Sequence, residues 1–346
     1  MPIFWLLLLV AFLYSPYVDR FFSRYRKSIS IFTWSDVIDS ETIRSFEKET
    51  GIKVYINYYE GNDELLTKLQ FSSGIGYDII VPSHYVVQSL KNRGFIKKID
   101  KSRLDFWSQI DPHLLNYYFD PNNEYSIPYV WDIYGLGINT TFFKDKKIEN
   151  SWRMLFEPSY NYLVGMTDEP REIIDVASIY LFGNMNELTA GQPTKIKNLL
   201  LNQKSFVAAY SDQAVEYLLT SRAAQVVFMP SSSFYRAHKL MEDSRFLIPG
   251  EGTVASIENL VIVDKSKKDD LVYMFINHLY KSGCIKQTYK KYGYLPVITS
   301  FLQSIDFSYI GGIDHFFGPY FDKIHLIKRL LPRKRMSALW LALKAY

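Results

Sequence analysis

Phe119-Asp-Pro-Asn-Asn-Glu-Tyr-Ser-Ile-Pro-Tyr-Val-Trp131, running on through Asp132 to Gly135, Gly137 and Asn139, is the stretch that decides the fold. Its first half predicts a turn: Pro121 presets φ, and Asp120 and Asn122 carry short side chains that bond their own backbone. The second half predicts a strand rich in β-branched and aromatic residues. Pro128 inside it and two glycines after it argue against an ordinary central strand, since proline lacks a ladder donor and glycine marks bends or close backbone approach. A crossing between two lobes fits these features.

Working outward, strands and helices alternate from residue 29. The pattern predicts a strand over 29–34, a helix capped by Ser40 and stopped at Gly51, a strand over 53–60, a helix over 62–72, a buried strand from Tyr77 to Ser83, and a helix from Val86 to Asn92. Strands separated by helices of this length imply right-handed crossovers and a parallel sheet. In such sheets ligands lie beyond the carboxyl ends of the strands. That rule selects Trp34-Ser35-Asp36 and Ser83-His84-Tyr85, two turns carrying aromatics, hydroxyls and a carboxylate. Beyond Asn139 a second pattern follows: Tyr162 to Met166, a capped helix from Asp168 through Glu172 to Tyr180, a helical stretch from Lys195, then Val226 to Met229 and Ser231 to Ser233. The chain returns through a strand from Ser256 to Val263 and a helix from Leu271 to Tyr280. The expected fold is therefore α/β, with two lobes, each a mostly parallel sheet flanked by helices, joined by hinge crossings. Residues 29–136 and 257–305 form lobe 1, and residues 137–256 and 306–346 form lobe 2.

A length of 346 residues suits two cores. Aromatics make up 16% of the chain, with 27 tyrosines, which suits a binding surface of flat faces with polar edges. The net charge of +4 comes from the ends, because residues 31–320 carry 29 basic and 34 acidic side chains. That distribution lacks the basic stripe of a nucleic-acid-binding face. Cys284 stands alone, so neither an intramolecular disulfide nor a thiolate metal cage can form. The histidines at 84, 113, 238, 278, 315 and 325 fall at no metal-ligand spacing, and Ser231 to Ser233 lacks the glycines of a nucleophile elbow. No phosphate-cradling glycine loop appears either. Asp168, Glu169 and Glu172 are local neighbours, whereas a glycosidase pair must face across a cleft. The residues thus offer no catalytic constellation, metal site or cofactor motif, and none of the three is expected.

At the N-terminus, Ile3 to Tyr14 is a run of twelve apolar residues, the length of a signal h-region and short of the ~20 residues needed to span a bilayer. No small-x-small cleavage site follows Tyr14, and Arg20, Arg24, Arg26 and Lys27 come after the run instead of before it. Residues 1–28 are thus expected to serve as a signal or an uncleaved membrane anchor. The downstream arginines favour the orientation opposite to export, a conflict the residues leave open.

Several blocks, in order, carry a resemblance: Glu49-Thr-Gly-Ile-Lys-Val54, Tyr77-Asp-Ile-Ile-Val-Pro-Ser83, Ile99-Asp-Lys-Ser102, Asp111-Pro, the opening stretch, Thr167-Asp-Glu-Pro-Arg-Glu172 and Tyr292-Gly-Tyr294. Over about residues 29–300 the chain resembles the periplasmic spermidine/putrescine-binding proteins of polyamine ABC uptake systems. The resemblance implies a periplasmic-binding-protein (type II) clamp that closes on a linear polycation and presents it to an inner-membrane ABC permease. It further implies a monomer in the periplasm, here tethered by its N-terminal segment. Carboxylates would pair the ammonium groups, and ring faces would line the methylene chain. By resemblance Trp34 and Tyr85 are aromatic contacts, Ser83 a polar contact and Asp36 the acid of the first turn, with Ser35 beside it. Glu169, with its neighbour Asp168, and Glu172 match the second-lobe acids; Glu258 stands for an ammonium-anchoring aspartate, and Tyr294 for a late aromatic. The departures are Val37 in place of a tyrosine, Met229 and Ser256 in place of tryptophans, and no match for a ligand-binding glutamine near the C-terminus. Asp132 stands where glycine is usual, and is expected to compensate by charge for lost stacking or to read a different cation. A different small cationic ligand, or a membrane-tethered sensor without transport, are the alternatives.

Overall fold

The structure is a computed structural model that describes residues 27–211, 214–305, 307, 309 and 321–345. The N-terminal apolar run, with its expected signal or anchor role, lies outside the described residues. The strands are β1 (Ser28–Thr33), β2 (Lys53–Tyr58), β3 (Ile79–Ile80), β4 (Ile127–Asn139), β5 (Val164–Met166), β6 (Val207–Tyr210), β7 (Val226–Pro230), β8 (Ser244–Leu247), β9 (Thr253–Ile262), β10 (Leu295–Pro296) and β11 (Ile324–Leu326). They follow the order β2-β1-β3-β9-β4-β7-β5-β6, with β8 and β10 paired to β4 and β11 to β9.

The two ends of this order repeat one plan. β2, β1 and β3 run parallel and meet β9 antiparallel. β6, β5 and β7 run parallel and meet β4 antiparallel. Each half is a lobe, and helices such as Ser40–Thr50 and Pro170–Phe182 provide the crossovers that parallel strands require. One buried apolar cluster holds Phe32, Phe46, Ile80 and Phe275 and continues through the junction to Met229 and Phe234. A second holds Trp152, Phe156, Met166 and Phe228, and takes Leu339 and Leu343 from the C-terminal helix Arg333–Ala345.

β4 joins the lobes. Ile127 to Ile133 pairs with β9, Tyr134 to Ile138 with β7, and Leu136 to Asn139 with β8, so one strand changes partners midway. All thirteen of its residues are buried. As Pro128 and the glycines suggest, the strand is not an ordinary central one: it lies in the middle of the sheet, yet it carries a bulge and crosses between the lobes. The register shifts between Pro128 and Val130, and this bulge takes up the missing donor, while the Pro128 carbonyl accepts the Tyr280 hydroxyl. The glycines make room for the neighbours: a Cβ on Gly135 would lie 2.6 Å from the Phe246 ring and 2.7 Å from the Leu247 carbonyl oxygen, and one on Gly137 2.8 Å from Met229 Sδ.

The preceding turn is built as its residues suggest. The buried Asp120 carboxylate accepts the backbone N–H groups of Glu124 (3.1 Å), Tyr125 (2.8 Å) and Ser126 (2.9 Å) together with the Ser126 hydroxyl (2.8 Å). Helix boundaries shift by a residue or two from those expected. Asp39, not Ser40, caps the first helix, its carboxylate accepting the Glu41 N–H at 2.9 Å. Glu169, not Asp168, caps helix Pro170–Phe182, since proline suits the first helical position.

Candidate ligand-binding cleft

Five segments that follow strands converge on one cleft of about 360 Å³ between the lobes. From the first lobe come Trp34-Ser35-Asp36 after β1, Tyr58 to Asn62 at the end of β2, and Ser83 with Tyr85 after β3. From the second come Thr167, Glu169 and Glu172 after β5, and Ser232, Ser233 and Arg236 after β7. The β4–β9 ladder is the floor and presents Asp132, Tyr134, Ser256 and Glu258, with Tyr294 alongside. Parallel strands whose carboxyl ends point at a junction place their turns there, and the two lobes do so from opposite sides.

Glu258 is held from the first lobe. Its carboxylate accepts Trp34 Nε1 at 2.9 Å and the Ser83 hydroxyl at 2.9 and 3.1 Å. Asn62 Nδ2 donates in turn to Ser83 Oγ at 3.2 Å and to Tyr85 Oη at 2.8 Å, fixing both contacts from behind. Burial pushes the Glu258 carboxyl up to about 7, against these donors and with some help from the Asp132 charge. Asp132 is held by the start of helix Ser231–Leu240: it accepts the Ser231 hydroxyl at 2.8 Å and the Ser232 N–H and hydroxyl at 2.8 and 2.7 Å. Burial pushes its carboxyl up to about 6 despite these bonds. Across the cleft, Tyr134 donates to Glu172 Oε1 at 2.6 Å, and Glu169 accepts the Arg171 N–H at 3.1 Å. The Arg171 guanidinium lies over the Tyr85 ring, 4.3 Å from its centroid, and joins the lobes at that point.

His84 ties the crossings together beneath this cleft. Its Nδ1 accepts the Ile257 N–H at 3.2 Å, so Nε2 carries the proton and donates to the Ile327 carbonyl oxygen at 2.7 Å. Full burial lowers its pKa to about 4, which keeps the ring neutral.

Of the thirteen residues that sequence and resemblance single out, the structure brings eleven onto this lining: Trp34, Ser35, Asp36, Ser83, Tyr85, Asp132, Glu169, Glu172, Ser256, Glu258 and Tyr294. Asp168 and Met229 lie elsewhere. The Asp168 carboxylate meets Lys344 Nζ of the C-terminal helix at 2.7 Å. Met229 is fully buried, with its sulfur against Gly137, because the strand alternation of β7 turns it into the core. Val37 is fully buried too, so position 37 offers the cleft no face. Sequence reasoning missed Tyr58, Tyr59, Glu60 and Asn62, although the rule that selected the turns after β1 and β3 applies equally to β2. It also missed Tyr134, two residues along the same strand face from Asp132, and Arg236 in the helix that follows β7. Ile327 lines the cleft near where a C-terminal glutamine had been sought.

The profile of the family described as bacterial extracellular solute-binding proteins matches residues 41–309. The chain is 30% identical over 267 residues to the spermidine/putrescine-binding periplasmic protein of Escherichia coli, covering 77% of this chain and 76% of that protein. It is also 30% identical over 264 residues to the putrescine/cadaverine-binding protein of Pseudomonas aeruginosa, covering 73% and 74%. In fold it is similar to the crystal structure of a spermidine/putrescine ABC transporter substrate-binding protein from Streptococcus pneumoniae, with a TM-score of 0.80, 24% identity, and 92% and 99% of the two chains covered.

Proposed function

The chain belongs to the family of bacterial extracellular solute-binding proteins, and from that premise we propose that it binds a linear polyamine of the spermidine/putrescine kind and delivers it to the permease of an ABC uptake system. The observation that carries this reading is the charge of the lining. Six carboxylates, those of Asp36, Glu60, Asp132, Glu169, Glu172 and Glu258, face a volume of about 360 Å³, with one basic side chain, Arg236, among them. That arginine is already committed: it donates to Glu216 Oε1 at 3.0 Å, the Tyr292 carbonyl oxygen at 2.9 Å and Ser233 Oγ at 3.0 Å. It is therefore a poor partner for a carboxylate on a ligand. So many acids around so small a space call for a compact ligand with more than one positive charge.

The aromatic lining supports the same class. Trp34, Tyr58, Tyr59, Tyr85, Tyr134 and Tyr294 offer ring faces to methylene groups and ring quadrupoles to ammonium groups. Trp34 leans on Tyr59, with centroids 4.5 Å apart, so each ring braces the other. The mechanism is closure: the ligand bridges acids of the two lobes, stabilises the closed form, and the permease recognises that form. Within this reading, residues 29–136 with 257–305 and residues 137–256 with 306–346 are the two lobes. The protein acts as a monomer on the periplasmic side, tethered to the inner membrane through its N-terminal segment. Titration calorimetry with putrescine, spermidine and spermine tests the ligand; no heat with any of them at sub-millimolar concentration would overturn it.

A further inference from the structure

We propose that Asp132 and Glu258 form a single two-carboxylate seat for a primary ammonium group, and that in the empty cleft this seat holds a proton which the incoming cation displaces. The proposal rests on the polyamine reading for its ligand, but not for the seat itself. In the β4–β9 ladder Asp132 pairs with Ser256, and Glu258 pairs with Val130. The two acids are therefore diagonal neighbours on one face, roughly 7–8 Å apart at their α carbons and somewhat closer at Cβ. The register is regular from Val130 to Ile133, so the bulge at Pro128 does not separate them. Both are more than nine-tenths buried, and both line the cleft.

Two anions at this spacing on a buried floor repel each other, and among the described residues neither carboxylate sits in an ion pair. The groups that face the pair are Arg236 from the helix after β7, Tyr294, Tyr59 and Tyr85 from the first lobe, with Arg171 over the Tyr85 ring, Tyr134 on the same face of β4, Tyr309, and Asp36 at the rim. Arg236 is spent on Glu216, the tyrosines stay protonated, and Asp36 adds like charge. Trp34, Ser83, Ser231 and Ser232 donate to the two carboxylates but bring no charge. Burial lifts both carboxyls toward neutrality, in keeping with one proton shared by the pair. A primary ammonium brings one positive charge and three N–H donors. When it enters, the proton leaves to solvent and the amine takes its place between two full carboxylates, so charge is conserved in the exchange. The same geometry disfavours a quaternary amine, which has no N–H to offer either acid.

The test is calorimetric titration of spermidine into the full chain at pH 7, in phosphate and in Tris, whose different ionisation heats report proton release. The wild type should release about half to one proton per ligand. Asp132→Asn keeps an acceptor for the Ser231 and Ser232 donors, and should cut that release by more than half while affinity falls about tenfold or more. Release equal in wild type and variant, or no release on binding in the wild type, would overturn the seat. A second measurement needs no ligand: the carboxyl ¹³C titration of the apo protein. Glu258 should titrate in two coupled steps in the wild type and at lower pH, in one step, in Asp132→Asn. Identical Glu258 curves would sink the pair even if the polyamine binds. A titration shift with no heat from any polyamine would keep the pair and refute only the ligand.

Discussion

Glu258→Gln should make the empty protein more stable and the binding protein worse, and the pH dependence of the first effect follows from the geometry. An exposed glutamate titrates near 4.5, whereas in the folded chain burial lifts Glu258 to about 7. Between those values the native chain holds a proton that the unfolded chain has released, so stability falls as pH rises through the window and is untouched below it. At about 1.36 kcal/mol per unit, the cost of carrying this charge above pH 7 is on the order of 3 kcal/mol. Glutamine keeps an oxygen for Trp34 Nε1 and Ser83 Oγ, and removes the charge. Urea denaturation of both proteins at pH 5, 6, 7 and 8 should give a stability gap that is small at pH 5 and widens toward about 3 kcal/mol at pH 8. Spermidine affinity of the variant at pH 8 should fall by about a hundredfold or more, since the ammonium loses a charged partner in a buried place. A gap that is the same at pH 5 and pH 8 would refute the reasoning, because it would mean that Glu258 carries no displaced titration.

Three further outcomes are expected. His84→Gln should flatten the acid limb of stability: the buried ring stays neutral down to about 4, so the wild type loses about 3 kcal/mol as pH falls from 6.5 to 4, a loss that urea titrations of the variant should lack. Gly293→Ala puts a Cβ 2.6 Å from Tyr235 Cδ1 and 2.9 Å from the Ser232 oxygen at a φ of +84°, and should cost about 1–3 kcal/mol in the same assay. Asp168→Asn and Met229→Leu should leave spermidine affinity within about twofold by calorimetry, whereas Glu172→Gln should lower it about tenfold or more. Equal losses across the three would return Asp168 and Met229 to the cleft.

The parts of the fold that the sequence made legible are those fixed by local chemistry. Asp120 and Pro121 announced a turn, Gly51 and Gly94 announced helix ends, and alternation marked the strands, because each depends on residues within a few positions. What the sequence hid depends on partners far along the chain. Pro128 looked out of place in a central strand until a bulge against β9, some 130 residues later, took up its missing donor. Asp168 and Glu169 are adjacent and chemically alike, yet one caps a helix beside the cleft and the other meets Lys344, a choice made by the C-terminal helix. Met229 and Pro230 differ only by strand alternation, which an alignment of motifs does not resolve. Tyr58 to Asn62 were open to the same reasoning as Trp34 to Asp36, and were missed because the resemblance carries no contact there.

The order β3-β9-β4 bears on how the molecule is made. β3 ends at residue 80 and β4 at residue 139, but the strand that lies between them begins at Thr253. A chain emerging from the ribosome must therefore carry two open sheet edges through more than a hundred residues of further synthesis. β11, which pairs with β9, and the C-terminal helix Arg333–Ala345, which packs into the second cluster, come later still. The sheet therefore cannot be completed until β9 and the elements after it have been made, and partly folded intermediates must bridge the interval. Exposed edges of this kind invite mispairing while they last.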